Sequence, residues 1–356
     1  MNLKSPFPWF GGKSAVADLV WERFGNVQNY VEPFFGSGAV LLNRPHAPST
    51  ETINDLDCLV ANFWRALQHE PDAVAEHADN PVNEADQHAR HLWLCSQAEF
   101  RERMKLDPEF YDVKIAGWWV WGQCIWIGAG WCAKQLPHLG DAGKGLNRQR
   151  PHLGNAGTGV HRKLPHLGNA GQGLNRQLPH LGDAGTGDIA SDLTSGTRRG
   201  QLLSYMRDLA ERLRSVRVCC GDWQRVCGPS VTVKHGITGV FLDPPYADEA
   251  ERTSDLYSQD SGDVAYAVRE WAIEMGADSR ARIALCGYEG EHTMPTSWEC
   301  VPWKARGGYG SQGDNAAREN STRERIWFSP YCLRTSLFSN LKGEVFESTT
   351  AQDSCI

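Results

Sequence analysis

The sequence predicts an α/β fold built on a Rossmann-like sheet, with a second module inserted into it. Three observations carry this. The apolar run Val240-Phe241-Leu242 ends in the rigid tetrapeptide Asp243-Pro244-Pro245-Tyr246, and a shorter run ending at Val31-Glu32 passes into Pro33-Phe34-Phe35-Gly36-Ser37-Gly38. Helix-period and strand-period segments then alternate toward both ends of the chain. At 356 residues and 41% hydrophobic, the chain can bury a sizeable core, and its length suits one main domain plus an insertion. We place the first part of the main domain at 1–69, the insertion at 70–200, the second part at 201–332 and a tail at 333–356.

From the amino terminus, Trp9 precedes the turn Gly11-Gly12-Lys13, which leads into a helix over 14–24. Val16, Val20 and Phe24 share one face of it and Gly25 ends it. Val31-Glu32 closes a buried strand, and Gly36 and Gly38 permit a tight turn at its carboxyl edge, where open α/β sheets bind ligands. Asp55 follows the apolar Ile53; it can accept the two hydroxyls of a ribose or cap a helix over 59–67.

In the second part, Val216 to Cys220 is a β-rich run that stops at Gly221-Asp222-Trp223. Asp222 offers an acceptor and Trp223 a ring surface, although a surface turn beside a core tryptophan reads equally well. Strand 240–242 delivers the Asp-Pro-Pro-Tyr loop. A helix over 263–275 sets Val264, Val268, Trp271 and Met275 on one side, a strand follows at Ile283-Cys286, and a loop over 307–320 leads to the alternating strand Glu324-Phe328.

The chemistry of the Asp-Pro-Pro-Tyr loop is that of an acceptor. Two prolines fix φ and remove backbone donors, which leaves carbonyls, one carboxylate and an aromatic face. Such a loop suits a flat base bearing an amino group. An exocyclic amine is a poor nucleophile because its lone pair is delocalised into the ring. Asp243 and the Pro244 carbonyl could each accept one N–H and favour a pyramidal nitrogen while Tyr246 stacks on the ring.

The insertion carries two unusual segments. Trp118, Trp119, Trp121, Trp126 and Trp131 crowd a short stretch with Gln123 as its polar member. They can form a stacking wall for a base or, the reading favoured here, a compact core for the insertion. Beyond them, over about 135–187, Pro137, Pro151, Pro165 and Pro179 open copies of a 14-residue repeat, Pro-His-Leu-Gly-(Asp/Asn)-Ala-Gly-x-Gly. The net charge of the whole chain is -7, yet residues 134–187 hold seven Lys or Arg against two Asp, a balance of +5. Arg148, Arg162 and Arg176 are candidate phosphate or base contacts; a low-complexity linker is the alternative.

Several classes are disfavoured. No 18-residue apolar span or amino-terminal signal pattern occurs, so the expectation is a soluble protein of the cytoplasm, in a bacterial or phage-infected cell, with no membrane partner. Eleven cysteines, an odd number without a Cys-x-x-Cys pair, argue against a disulfide framework and against a zinc site, so no metal is expected.

Taken in order, Pro8-Trp9-Phe10-Gly11-Gly12-Lys13, Tyr30 to Gly38, Asn54-Asp55 and Asp243 to Tyr246 resemble the Dam-type, D12 class of N6-adenine DNA methyltransferases. The resemblance spans 5–65 and about 216–330. It implies a Rossmann-like methyltransferase sheet with an inserted target-recognition module, S-adenosylmethionine as methyl donor and double-stranded DNA as substrate. It further implies that Trp9, Gly11, Gly12, Lys13, Glu32, Pro33, Phe34, Gly36, Gly38, Asp55, Asp222, Trp223 and Asp243 hold the donor, with Lys13 facing its carboxylate. Asp243, Pro244, Pro245 and Tyr246 would handle the flipped-out base, and a cognate restriction endonuclease becomes a conceivable partner. N4-cytosine methylation is the nearer alternative, and a catalytically inactive, repeat-bearing DNA-binding protein the farther one.

Overall fold

The computed structural model describes residues 3–9, 12–107, 109–126, 131–132, 198–246, 262–303 and 323–334. Gly11, the 14-residue repeats with Arg148, Arg162 and Arg176, the 307–320 loop and the tail beyond Arg334 lie outside the described residues.

The protein folds around a seven-stranded sheet made of β1 (Asn29–Glu32), β2 (Thr50–Asp55), β3 (Arg217–Cys220), β4 (Thr238–Leu242), β5 (Ala281–Tyr288), β6 (Glu299–Pro302) and β7 (Glu324–Phe328). Its spatial order is β3-β2-β1-β4-β5-β7-β6. The first five strands run parallel, with Val31 paired to Val240 across β1 and β4, and β7 is antiparallel to both β5 and β6. All residues of β1 and β4 are buried, the expected condition for parallel strands covered on both faces. The order reverses between β1 and β4. Ligands of open α/β sheets bind at such a switch point, outside the carboxyl ends of the strands, and the loops after these two strands are the ones singled out by the sequence. The sheet is thus Rossmann-like, as the alternating pattern predicts.

Local signals set the helices. The helix expected over 14–24 divides into a 3-10 turn, Lys13–Ala15, and α1 (Ala17–Phe24), because the Val16 amide bonds the Lys13 carbonyl and tightens the first turn. Gly25 ends α1 with φ +61°. After the short α2 (Ala39–Leu42), helix α3 (Cys58–His69) is capped by Asp57, whose carboxylate accepts from the Leu59 amide. Asp55, offered by the sequence as a possible cap for this helix, is therefore not the cap. It stands too early in the chain to reach the first helical amides and bonds elsewhere.

Across the region expected to be an insertion, the described residues are helical: α4 (Pro71–Ala78), α5 (Glu84–Cys95), α6 (Ala98–Leu106) and α7 (Val113–Ile125), followed by α8 (Arg198–Leu213). Apart from Lys114 and Gln123, helix α7 is apolar on every side, as a largely buried helix must be. It packs on α3 and α4, and Trp119 and Trp121 are completely enclosed. The Trp-rich segment is core, yet Trp119, Trp64, Trp21 and Phe24 belong to one hydrophobic cluster, so the insertion's helices share the main domain's core. The chain then returns through α9 (Gln224–Cys227) and α10 (Gly262–Met275), which flank β4 in sequence. No helix among the described residues is long and apolar enough to cross a membrane.

Candidate active site

The carboxyl ends of β1 and β4 converge on a small cleft. Trp9, Gly12, Lys13, Glu32, Phe34 and Asp243 line it. These are residues drawn from three separate motifs of the sequence, brought together by the β1–β4 pairing.

The loop after β1 is shaped by glycine. Gly36 has φ +50° and Gly38 φ +72°, a region that L side chains enter at a cost of about 1–2 kcal/mol. Space forbids a side chain as well: a Cβ on Gly36 would lie 2.5 Å from the Trp9 indole nitrogen. Trp9 therefore rests directly against the loop. Asn54 ties the neighbouring loops together, donating to the carbonyls of Pro33 and Gly221 at 3.0 and 2.9 Å. Phe34 extends from the same loop toward Trp223, with ring centroids 6.4 Å apart.

Asp55, at the end of β2, accepts from the Gly36 and Asp57 amides, each at 2.9 Å. Burial and the nearby Asp57 carboxylate push its pKa up to about 7, against the opposing pull of those amides. Asp222 and Trp223 occupy the equivalent position after β3. The exposed Asp222 accepts from the Gln224 amide at 2.9 Å and so caps its own turn, while Trp223 is buried beside Trp271. Glu32 is buried at the end of β1, where Tyr30 donates to it at 2.7 Å. Burial raises the Glu32 pKa well above the usual carboxylate range, with the Tyr30 hydroxyl opposing.

Past β4, Asp243 does not stand alone. Its Oδ1 lies 2.9 Å from the Lys13 ammonium, which also donates to the Tyr246 hydroxyl at 3.1 Å. Tyr246 in turn donates to Glu324 at 2.8 Å, and its hydroxyl is 3.3 Å from Asp243. Pro244 is buried and Pro245 half-buried between them. Burial works against the charge on Lys13, but the carboxylates of Asp243 and Glu324 outweigh it and raise its pKa, keeping it protonated. Burial raises the pKa values of both Asp243 and Glu324, and Lys13 opposes the rise in each case.

Three placements differ from those expected from the sequence. Lys13, expected to face a ligand carboxylate, is engaged by the chain's own Asp243, because the turn before α1 opens directly under the β4 loop. Tyr246, expected as a free stacking face, is only 9% exposed; Glu324 holds its hydroxyl and its ring packs edge-on against Tyr288 at 4.5 Å. Gln123, singled out as a DNA contact, is buried in α7 and donates to the Pro8 carbonyl at 3.1 Å. This third placement is a correction with a simple cause: α7 is a core helix, so its polar side chain is used inside, next to Trp9.

Glu324 is the group the sequence reading passed over. The signal was present: in the alternating strand Glu324, Ile326 and Phe328 point the same way, so the glutamate had to be buried and needed a partner.

Residues 9–111 match the family model of the D12 class N6 adenine-specific DNA methyltransferases. The DNA N-6-adenine-methyltransferase of Escherichia phage P1 is 33% identical over 67 residues, which cover 19% of this chain. The match spans only 9% of that relative's length. The family match thus covers the segment from Trp9 past α6, and what it shows is that this segment is similar to D12-class sequence.

Proposed function

We propose that this chain, D12-class through its matched segment, transfers a methyl group from S-adenosylmethionine to the N6 amino group of adenine in DNA. The observation that carries the reading is the network Asp243, Lys13, Tyr246 and Glu324 at the carboxyl end of β4, set beside the glycine loop of β1. The carboxylates of Asp243 and Glu324 face Lys13, and Glu32 lines the same cleft as Asp243, so the site is rich in acceptors.

That acceptor set suits a positively charged sulfonium and an amine with two N–H groups. The walls suit them too. Trp9, seated against Gly36, and Phe34 offer aromatic surface, and Asp55, at the end of the neighbouring strand, would offer a carboxylate to a ribose. When bound, S-adenosylmethionine supplies an electrophilic methyl group, so transfer needs alignment and no covalent enzyme intermediate.

The chain's own groups then divide the work. Asp243 and the Pro244 carbonyl accept the two amino protons and orient the nitrogen lone pair. Lys13 fixes the Asp243 carboxylate and holds it ionised, and Glu324 sets the orientation of Tyr246, whose ring supports the base. Asp243, with its pKa raised by burial, takes up the proton released as the N–C bond forms. The base reaches this loop by leaving the duplex stack, at a cost of about a few kcal/mol. Residues 70–200 serve as the target-recognition module, with the basic repeats contacting phosphate.

The test is transfer from methyl-labelled donor to DNA, RNA and protein offered separately. Label confined to DNA supports the reading. Label on protein or RNA alone, or none on any of them with folded protein that binds the donor, would refute it.

A further inference from the structure

Outside the set of residues that line the cleft, three metal-ligating side chains meet. His91 and Cys95 lie one turn apart on α5, and Cys132 comes from the segment after α7. One ligand atom from each falls within 4.8 Å of the other two. The Cys95 sulfur is 3.7 Å from His91 Nε2, and the Cys132 sulfur 3.9 Å from His91 Nδ1. With metal bonds of about 2.3 Å to sulfur and about 2.0 Å to nitrogen, ligands of a tetrahedral ion stand roughly 3.5–3.8 Å apart. Imidazole binds an ion through one nitrogen, so the sulfur beside the other nitrogen must move in by about 1 Å, from the 4.8 Å limit of the cluster to that spacing.

The surroundings hold the ligands in place. His91 is stacked on Trp126, with centroids 5.4 Å apart and planes 6° from parallel, and Trp131 completes the group, tilted against both rings at 5.0 and 5.2 Å. The Trp131 indole fits a notch on α7 that only glycine leaves open, since a Cβ on Gly122 would lie 2.0 Å from it, and its N–H donates to the Trp119 carbonyl at 3.0 Å. This anchors the neighbouring Cys132. Cys132 itself has φ +58°, the single non-glycine residue with positive φ among the described residues. Such a conformation costs about 1–3 kcal/mol and clusters at functional sites. His91 and Cys132 are buried, at 4% and 3% exposure, and Cys95 is half-buried and gives access from outside.

We propose that His91, Cys95 and Cys132 bind one zinc-like divalent transition ion, which clips the segment after α7 to α5. Imidazole and thiolate are the ligands such an ion prefers. Two thiol protons leave to solvent as it binds, and two thiolates balance its charge, so a buried complex carries none. Three protein ligands leave the fourth position for water. Cys-x-x-Cys spacing is absent from this cluster because its ligands are a His-x-x-x-Cys pair on one helix and a cysteine from beyond the next two.

The test uses the full chain, purified under reducing conditions after growth with zinc. Plasma mass spectrometry should find about one zinc per chain, and replacement by cobalt(II) should give the thiolate charge-transfer bands of a tetrahedral site. Cys132→Ser and His91→Ala should each lower bound metal at least about tenfold, whereas Cys300→Ser, on exposed β6, should retain it. Circular dichroism separates loss of ligand from loss of fold. The wild-type spectrum decides the matter even where a variant does not fold. Reduced wild-type protein that holds no zinc and gives no cobalt bands, or equal metal loss from Cys300→Ser, would overturn the proposal.

Discussion

At the scale of the residue, the site turns on Asp243 and the partner that holds it. Removing one member of a buried ion pair costs about 3–5 kcal/mol, chiefly because the other charge is left uncompensated. Asp243→Asn keeps a carbonyl acceptor but loses the charge, so two effects are expected. Single-turnover methyl transfer should fall about a hundredfold or more, and Tm should drop while circular dichroism at low temperature stays native. Turnover near wild type would remove Asp243 from catalysis. Asp55 supplies a pH dependence. Its carboxylate is the form that accepts ribose hydroxyls, and it takes up a proton as pH falls through about 7. Donor affinity measured by calorimetry should therefore weaken on the acid side of that value, toward the affinity of Asp55→Asn, itself about tenfold weaker and independent of pH there. The Asp-Pro-Pro-Tyr loop, the glycines and Asp55 were legible in the sequence because each is defined by its immediate neighbours. The engagement of Lys13 by Asp243 and of Tyr246 by Glu324 was not, since each depends on which strands lie side by side.

At the scale of the element, the loop after β1 and helix α7 make contrasting demands. Gly36→Ala should lower stability by about 1–2 kcal/mol from its backbone alone and, by displacing Trp9, weaken donor binding as well. Gly290→Ala is the control: its φ is +86° but nothing lies within 4 Å of the added Cβ, so donor affinity should hold. Equal affinities for the two variants would mean that Trp9 does not shape the donor site. Trp119, fully enclosed in α7, should cost about 3–5 kcal/mol when cut to alanine, read as a fall in Tm. The strands bearing motifs were legible as apolar runs bounded by turn residues. Strand β6 was not: Glu299-Cys300-Val301-Pro302 is largely exposed and has no alternation to detect, and its place follows from pairing with β7 and from the ion pair between Arg23 and Glu299.

At the scale of the whole molecule, a net charge of -7 must be reconciled with the polyanionic substrate proposed for it. Fields are screened within about 8 Å at physiological salt, so the sign of the surface facing DNA outweighs the total. The +5 balance of residues 134–187 makes the repeats the natural place for that surface. Neutralising Arg148, Arg162 and Arg176 together should flatten the salt dependence of DNA binding by about 0.9 for each phosphate that the variant no longer neutralises. Titrations at several salt concentrations with an unchanged slope would assign the repeats to a linker role. The reading as a whole makes one chemical claim, that the acceptor network at the end of β4 methylates the amino group of adenine. Nucleoside mass spectrometry of unmodified, mixed-sequence DNA incubated with S-adenosylmethionine and the wild-type chain or Asp243→Asn tests it most directly. The expected result is N6-methyladenine with the wild-type chain and, at matched early times, at least about a hundredfold less with the variant; N4-methylcytosine in its place, or N6-methyladenine in equal amounts from both proteins, would contradict it.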